Sequence, residues 1–289
     1  MLGDAVIECF GARCRILATD IDLSDPRVVH ADVRDLESVR RSIEAFRPDA
    51  ILNLAAITDL EACERDPDNA WLTNALGAEN VGLVARELDV PLVYVSTAGI
   101  FDGAQEVYTD FDQPNPLGMY ARSKYAGEAW VRSSVPKHFV VRAGWMMGGG
   151  PDKDKKFVAK LFRQIDAGVR VLRVVDDKLG TPTYTVDFAR GIARLLESDL
   201  FGLYNQVCHG SASRYEVAVE LVKLWGLEGE VSIEKVDSSH FANEYFAPRP
   251  RSEKLVNTKL RARGLDSMRD WRVCLAEYAP RFRRADNRA

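Results

Sequence analysis

Short apolar runs alternate with helical patterns through the first two thirds of this chain, and that alternation restricts the fold more than any other feature. Residues 15–20 read as a short strand, 38–46 as a helix and 49–56 as a buried strand. A long helix over 69–88, carrying the small residues Ala75, Gly77 and Ala78, leads to a strand over 91–97. A helix over 116–133 and a strand over 138–142 follow. Parallel neighbours need helical crossovers, so this β-α-β-α order gives an α/β fold with a parallel sheet wrapped by helices. The last third is less regular: 155–167, 186–197 and 213–225 look helical, and 244–257 is rich in proline and charge.

Composition removes several function classes. The net charge of −4 argues against a nucleic-acid or membrane-surface partner, which would need a basic patch. No apolar run approaches the ~20 residues of a membrane span. The opening residues carry no basic segment ahead of an apolar one, so they do not read as a secretory leader. Cys9, Cys14, Cys63, Cys208 and Cys274 are odd in number and lack Cys-x-x-Cys spacing. They point to reduced thiols and a cytoplasmic protein, without a disulfide frame or zinc site. His30, His138, His209 and His240 show no ligand spacing either, so no metal is expected.

Chemistry concentrates in Tyr120-Ala-Arg-Ser-Lys124, with Ser96-Thr97 upstream at the end of an apolar run. A Tyr and a Lys four apart on a helix share a face, about 5–6 Å apart at Cβ. An ammonium beside a phenol favours phenolate and lowers a pKa that otherwise stands near 10. Tyr120 is therefore a candidate proton donor or acceptor, with the Thr97 hydroxyl placed to hold a substrate oxygen.

The N-terminus is anomalous. Residues 2–10 have helical spacing, end at Gly11 and lead straight into the strand at 15–20. A dinucleotide-binding fold opens instead with a strand and a glycine-rich turn before that helix, and Met1-Leu2-Gly3 looks like the tail of such a turn, with Gly3 its final glycine. On this reading roughly ten to fifteen further residues, forming a central strand and the turn, precede Met1 in the natural protein. Without them the strands at 15–20 and 49–56 would stay on one side of the sheet, and the strand at 91–97 would lose its neighbour.

Further segments stand in a fixed order along the chain. They are Asn53-Leu-Ala-Ala-Ile-Thr58, Asn74-Ala-Leu-Gly77, Ser96-Thr97-Ala-Gly-Ile-Phe-Asp-Gly103 and Pro116-Leu-Gly-Met-Tyr120-Ala-Arg-Ser-Lys124-Tyr-Ala-Gly-Glu128. Val141-Arg-Ala-Gly-Trp145, Gly180-Thr-Pro-Thr183 and Arg249-Pro-Arg-Ser252 complete the set. Together these resemble the extended short-chain dehydrogenase/reductases, and within them the dTDP-4-dehydrorhamnose reductase branch. The resemblance implies a doubly wound Rossmann fold over residues 1–150, with 182–207 returning to it. A smaller mixed substrate-binding unit would come from 151–181 and 208–289.

It also implies an oxidoreductase that uses NADH or NADPH to reduce the 4-keto group of a nucleotide-linked 6-deoxyhexose in dTDP-rhamnose and cell-surface polysaccharide biosynthesis. Tyr120 would protonate the new sugar oxygen, Thr97 would hydrogen-bond it, and Lys124 would hold the cofactor ribose and keep the Tyr120 pKa low. Gly3, Ala55, Ala56 and Thr58 would lie along the dinucleotide, and Asp32-Val33 would meet its adenine. Asp20, at a strand end, would accept from the ribose 2′-OH and repel a 2′-phosphate, which favours NADH. Trp145 and Arg249 would contact the sugar, and Asn74 would order the backbone of the site.

One departure is plain: the branch carries Asp-Tyr after the Thr, and this chain has Ala98-Gly99. A 4,6-dehydratase needs carboxyl groups there and is disfavoured. A 4-epimerase or another sugar-nucleotide enzyme stays open, as does a non-catalytic subunit like the regulatory one of methionine adenosyltransferase. A homodimer is the assembly considered.

Overall fold

The structure is a computed structural model that describes residues 1–282. Helix α1 (Leu2–Phe10) ends as its spacing predicts, the Gly11 N–H closing on Ile7 O at 2.8 Å. Three strands, β3 (Ile51–Asn53), β4 (Leu92–Thr97) and β5 (His138–Ala143), pair in parallel. The strand Gly202–Asn205 adds to the far side of β5, also parallel, giving a four-stranded sheet.

Alternate residues of a strand face opposite sides, and here both sides are apolar. Val93, Phe139 and Val141 join one buried cluster with Leu2, Ala5 and Val6 of α1 and with Phe188 and Ile192 of the helix Thr185–Ser198. Leu92, Tyr94 and Val140 join another with Val81 and Val84 of the helix Gly77–Glu87 and Val131 of the helix Met119–Ser134. Helices on both faces of a parallel sheet are what the alternation predicts, and they make the doubly wound α/β arrangement that the resemblance implies.

The strand order corrects one expectation. A strand that the sequence reading passed over, β2 (Val28–His30), pairs in parallel with β1 (Ala18–Asp20) as a separate two-stranded sheet. Three residues with mostly exposed side chains carry no readable period. Counting β2 moves every later strand up one place. The strand within 49–56 therefore pairs with β4 and does not stay beside 15–20, and the strand at 91–97 keeps its neighbours on both sides.

The expected long helix over 69–88 is also interrupted. Pro67–Trp71 and Gly77–Glu87 are α-helical, but Leu72–Leu76 widens to a π turn in which the Gly77 N–H reaches Leu72 O. Such turns cluster at functional sites, and this one holds Asn74.

A third apolar cluster, including Met147, Tyr184, Leu221, Trp271 and Tyr278, gathers the helices Phe157–Asp166, Arg214–Leu224 and Trp271–Tyr278. The strands Val171–Val175 and Ser232–Val236 pair in parallel beside it. A small mixed sheet sets Leu179–Gly180 between Ala212–Ser213 and Ser252–Glu253, while Trp145–Met147 pairs with Pro182–Tyr184. These short pairings bring residues far apart in sequence to the C-terminal end of β4. The last seven residues of the C-terminal unit expected over 208–289 lie outside the described residues.

Candidate active site

Thr97 closes β4, at the carboxyl end where open parallel sheets bind ligands. Its Oγ1 accepts the Gly99 N–H at 3.1 Å, which caps the short turn Ala98–Ile100. Tyr120 and Lys124 lie in the first two turns of Met119–Ser134. A carboxylate oxygen of Glu64 accepts the Met119 N–H at 2.7 Å, satisfying one free N–H where the helix dipole favours a negative charge.

The two pKa shifts differ from the expectation. Burial pushes the Tyr120 phenol up to about 12; a hydrogen bond with Thr97 opposes this, while Glu253 and Cys63 add to it. Burial brings the Lys124 ammonium down to about 7, with Glu128 opposing. Lys124 therefore does not lower Tyr120. Its ammonium lies 4.1 Å from the centre of the Tyr94 ring, which holds it by a cation–π contact. Shared helix face fixed the Cβ atoms, not the end of a four-carbon stem.

Polar contacts hold this helix in register with the sheet. Glu128 takes Arg142 of β5 through Nη2 at 2.5 Å and Nε at 3.1 Å, and Ser96 of β4 through Oγ at 2.7 Å. Tyr94 Oη donates towards Lys124 O at 3.0 Å. Asn74 accepts the Ile57 N–H at 2.9 Å, donates to Ile57 O at 3.1 Å and reaches Ser123 Oγ at 3.1 Å. It thereby fastens the loop after β3 to the helix of Tyr120.

The residues present fit a dinucleotide. Lys124 is 3% exposed, and its ammonium meets no hydrogen-bond acceptor among the described residues, so a diol on that side would satisfy it. Ala55 and Thr58 are exposed and Ala56 half-buried on the loop held by Asn74, and Thr58 accepts Lys156 Nζ at 2.9 Å. Asp20 is exposed at the end of β1, its Oδ1 accepting the Asp22 N–H. Asp32 grips Arg34 with both oxygens, and Val33 packs where a side chain on Gly77 would otherwise stand. Gly3, in the first turn of α1, has open space where a Cβ would be.

On the other side of Tyr120 the wall comes from the last half of the chain. Trp145 packs flat against Gly180, where an added Cβ would stand 2.2 Å from the ring, and its Nε1 donates to Glu253 Oε2. The Arg214 guanidinium stacks 3.7 Å from the centre of the Trp145 ring. Arg249 forms a two-pronged ion pair with Glu61, 2.7 and 3.0 Å, and so clamps the segment after residue 244 to the helix Leu60–Arg65. Sequence reasoning missed Glu253, Arg214 and Lys156. Glu253 directly follows the Arg249–Ser252 motif, the only signal that pointed near it.

Among the described residues no three His, Cys, Asp or Glu side chains gather into a metal-sized group. No described helix is long and apolar enough to cross a membrane.

Comparisons with known proteins agree with this geometry. A family model described as the RmlD substrate binding domain matches residues 1–284. A dTDP-4-dehydrorhamnose reductase of Mycobacterium tuberculosis is 33% identical over 254 residues, 85% of this chain and 80% of the relative. The crystal structure of a dTDP-4-dehydrorhamnose reductase from Yersinia enterocolitica superposes with a TM-score of 0.86 at 31% identity, covering 98% of this chain and 96% of the other. The Bacillus anthracis reductase solved in complex with NADP gives 0.81 at 29% identity, with 89% and 90% covered.

Proposed function

This chain belongs to the RmlD substrate-binding-domain family, and we propose that it reduces the 4-keto group of a nucleotide-linked 6-deoxyhexose, dTDP-4-dehydrorhamnose to dTDP-rhamnose, with NAD(P)H. The observation that carries the reading is the meeting of Thr97, Tyr120 and a buried Lys124 without an acceptor at the end of a parallel sheet.

NAD(P)H, when bound, supplies the hydride. Lys124 would hold its ribose, and the loop of Ala55, Ala56 and Thr58 would lie along it, with Gly3, Asp32 and Val33 completing that side. Tyr120 Oη donates its proton to the sugar O4. A phenol pushed up to about 12 keeps that proton at neutral pH. It yields the proton only as the carbonyl oxygen becomes an alkoxide, a much stronger base. The Thr97 hydroxyl, which hydrogen-bonds Tyr120 in this structure, would turn to donate to the same oxygen. Trp145, its ring packed between Gly180 and Arg214, would line the sugar pocket with its edge. Arg249, through Glu61, keeps the surrounding segment in place.

Asp20 sets a preference for NADH, because an exposed carboxylate at the end of β1 repels a 2′-phosphate. Asp20→Ala should narrow the gap between the two cofactors; a wild type that prefers NADPH at equal concentration would remove Asp20 from this role. The cytoplasm is the setting this reading implies.

The decisive assay is steady oxidation of NAD(P)H by the purified protein on addition of dTDP-4-dehydrorhamnose, followed at 340 nm. Nucleotide binding without turnover would favour a non-catalytic subunit instead.

A further inference from the structure

Glu253 is a carboxylate at this site that neither proton donation to O4 nor cofactor binding uses. It arrives on a two-residue strand, with Glu253 in register with Gly180. Trp145 Nε1 occupies one of its oxygens. The other, Oε1, has no hydrogen-bond donor among the described residues.

Gly99 locates Oε1 relative to the other site residues. A side-chain carbon on Gly99 would stand 3.4 Å from Glu253 Oε1, 3.5 Å from Thr97 Oγ1 and 3.9 Å from Tyr120 Cε1. Three side chains from distant parts of the sequence thus converge on one small volume, which is open because residue 99 is glycine. A larger residue there would fill the place from which Oε1 faces Thr97 and Tyr120. Burial raises the Glu253 carboxyl on balance, with the Trp145 hydrogen bond and the charges of Arg214, Arg249 and Lys178 opposing it in part; protonated or not, Oε1 keeps a lone pair that can accept.

We propose that Glu253 Oε1 accepts a hydrogen bond from the hydroxyl on the sugar carbon next to the keto carbon, so that the protein selects 4-keto-hexoses carrying a 3-hydroxyl over their 3-deoxy counterparts. The inference rests on the nucleotide-sugar reading above. Thr97 and Tyr120 hold O4, so a group that meets an oxygen in the same small volume must sit on a neighbouring carbon. Of the two neighbours, C5 of a 6-deoxyhexose carries a methyl group, which offers no donor. C3 carries the hydroxyl. Ala98-Gly99 removes two pocket side chains from the local sequence, and Glu253 brings a carboxylate back from 154 residues further along the chain.

A site that hydrogen-bonds a substrate hydroxyl rejects the analogue without it, because its own polar atom is left unpaired. A hydrogen bond to a charged group is worth about 10- to 100-fold in affinity. The experiment measures kcat/KM of the full chain for dTDP-linked 4-keto-6-deoxyhexoses with and without the 3-hydroxyl. Calorimetric binding of the two corresponding reduced sugar nucleotides runs in parallel.

The wild type should prefer the 3-hydroxy substrate by about 10- to 100-fold. Glu253→Ala should lose most of that preference, and Glu253→Gln, whose amide still offers an acceptor, should keep part of it. NAD(P)H binding by fluorescence reports that each variant is folded. If Glu253→Ala fails to fold, Gly99→Ala, whose methyl would occupy the open volume in van der Waals contact with Oε1, should erode the same ratio. Equal losses on both substrates would show that Glu253 serves only to hold Trp145, and would overturn the inference. So would a wild type that turns over both sugars alike. A wild type that neither oxidises NAD(P)H nor binds either sugar nucleotide would instead refute the function proposed above, and this inference with it.

Discussion

Tyr120 and Lys124 are both displaced from their ordinary titration ranges, in directions that suit opposite duties. Burial holds the proton on Tyr120, so the residue can act as a donor to a strong base without ionising beforehand. Tyr120→Phe should therefore lower kcat by at least ~10²-fold. NAD(P)H titration checks that cofactor affinity survives; turnover near that of the wild type would remove Tyr120 from the proton transfer.

For Lys124 the sign runs the other way. Burial disfavours its charged form, so its folded pKa of about 7 lies below the reference of 10.5. The stability this contributes is present above 10.5 and is lost as pH falls through about 7, because the unfolded chain then binds the proton more tightly. In cofactor-free protein the wild type should lose stability relative to Lys124→Met across that window, by urea denaturation at several pH values. Parallel profiles would mean that the ammonium is fully compensated where it sits.

At the level of the elements, the helix Met119–Ser134 owes its register to a buried ion pair. The side chains of Glu128 and Arg142 are 0% and 1% exposed, and Ser96 shares the same carboxylate. Removing one partner strands the other charge in a dry interior. Glu128→Ala should therefore cost about 3–5 kcal/mol in chemical denaturation. A joint Glu128→Leu, Arg142→Met replacement should cost much less, since a packed apolar pair can replace a buried ion pair. A single variant as stable as the wild type would show that Arg142 finds other partners. The π turn Leu72–Leu76 serves the same end by a different route: it presents Asn74 so that one amide binds both the N–H and the C=O of Ile57. The loop that should meet the dinucleotide is thus tied to the helix that bears Tyr120.

For the whole molecule, the site exists only where two regions meet. One is the four-stranded sheet with Thr97 at the carboxyl end of β4; the other is the small mixed sheet that delivers Gly180 and Glu253. The flat contact between Trp145 and Gly180 joins them, and it leaves no room for a methyl group. Gly180→Ala should push the Trp145 ring away and take Glu253 with it. The expected result is a large fall in kcat/KM for the sugar, a change in tryptophan fluorescence, and NAD(P)H affinity close to that of the wild type. An unchanged kcat/KM would mean that the wall is not part of the sugar site.

The sequence alone determined the parts whose physics is local. Continuous apolar runs and helical spacing placed the strands at 91–97 and 138–142 and the helices that cover them, because burial on both faces writes itself into consecutive residues. A Tyr and Lys one helical turn apart had to share a face, which brought the centre of the candidate site within reach of inspection. Tertiary structure decided the rest. The three-residue strand β2 has no period to read, and only its pairing with β1 reveals it and corrects the strand order. The Lys124 ammonium chose the Tyr94 ring because that ring lies within reach of a flexible stem, and no spacing rule encodes where such a stem ends. Glu253 came to stand beside Thr97 through two backbone pairings of a two-residue strand. Contacts of that range are fixed by the packing of the whole chain, not by any stretch of it.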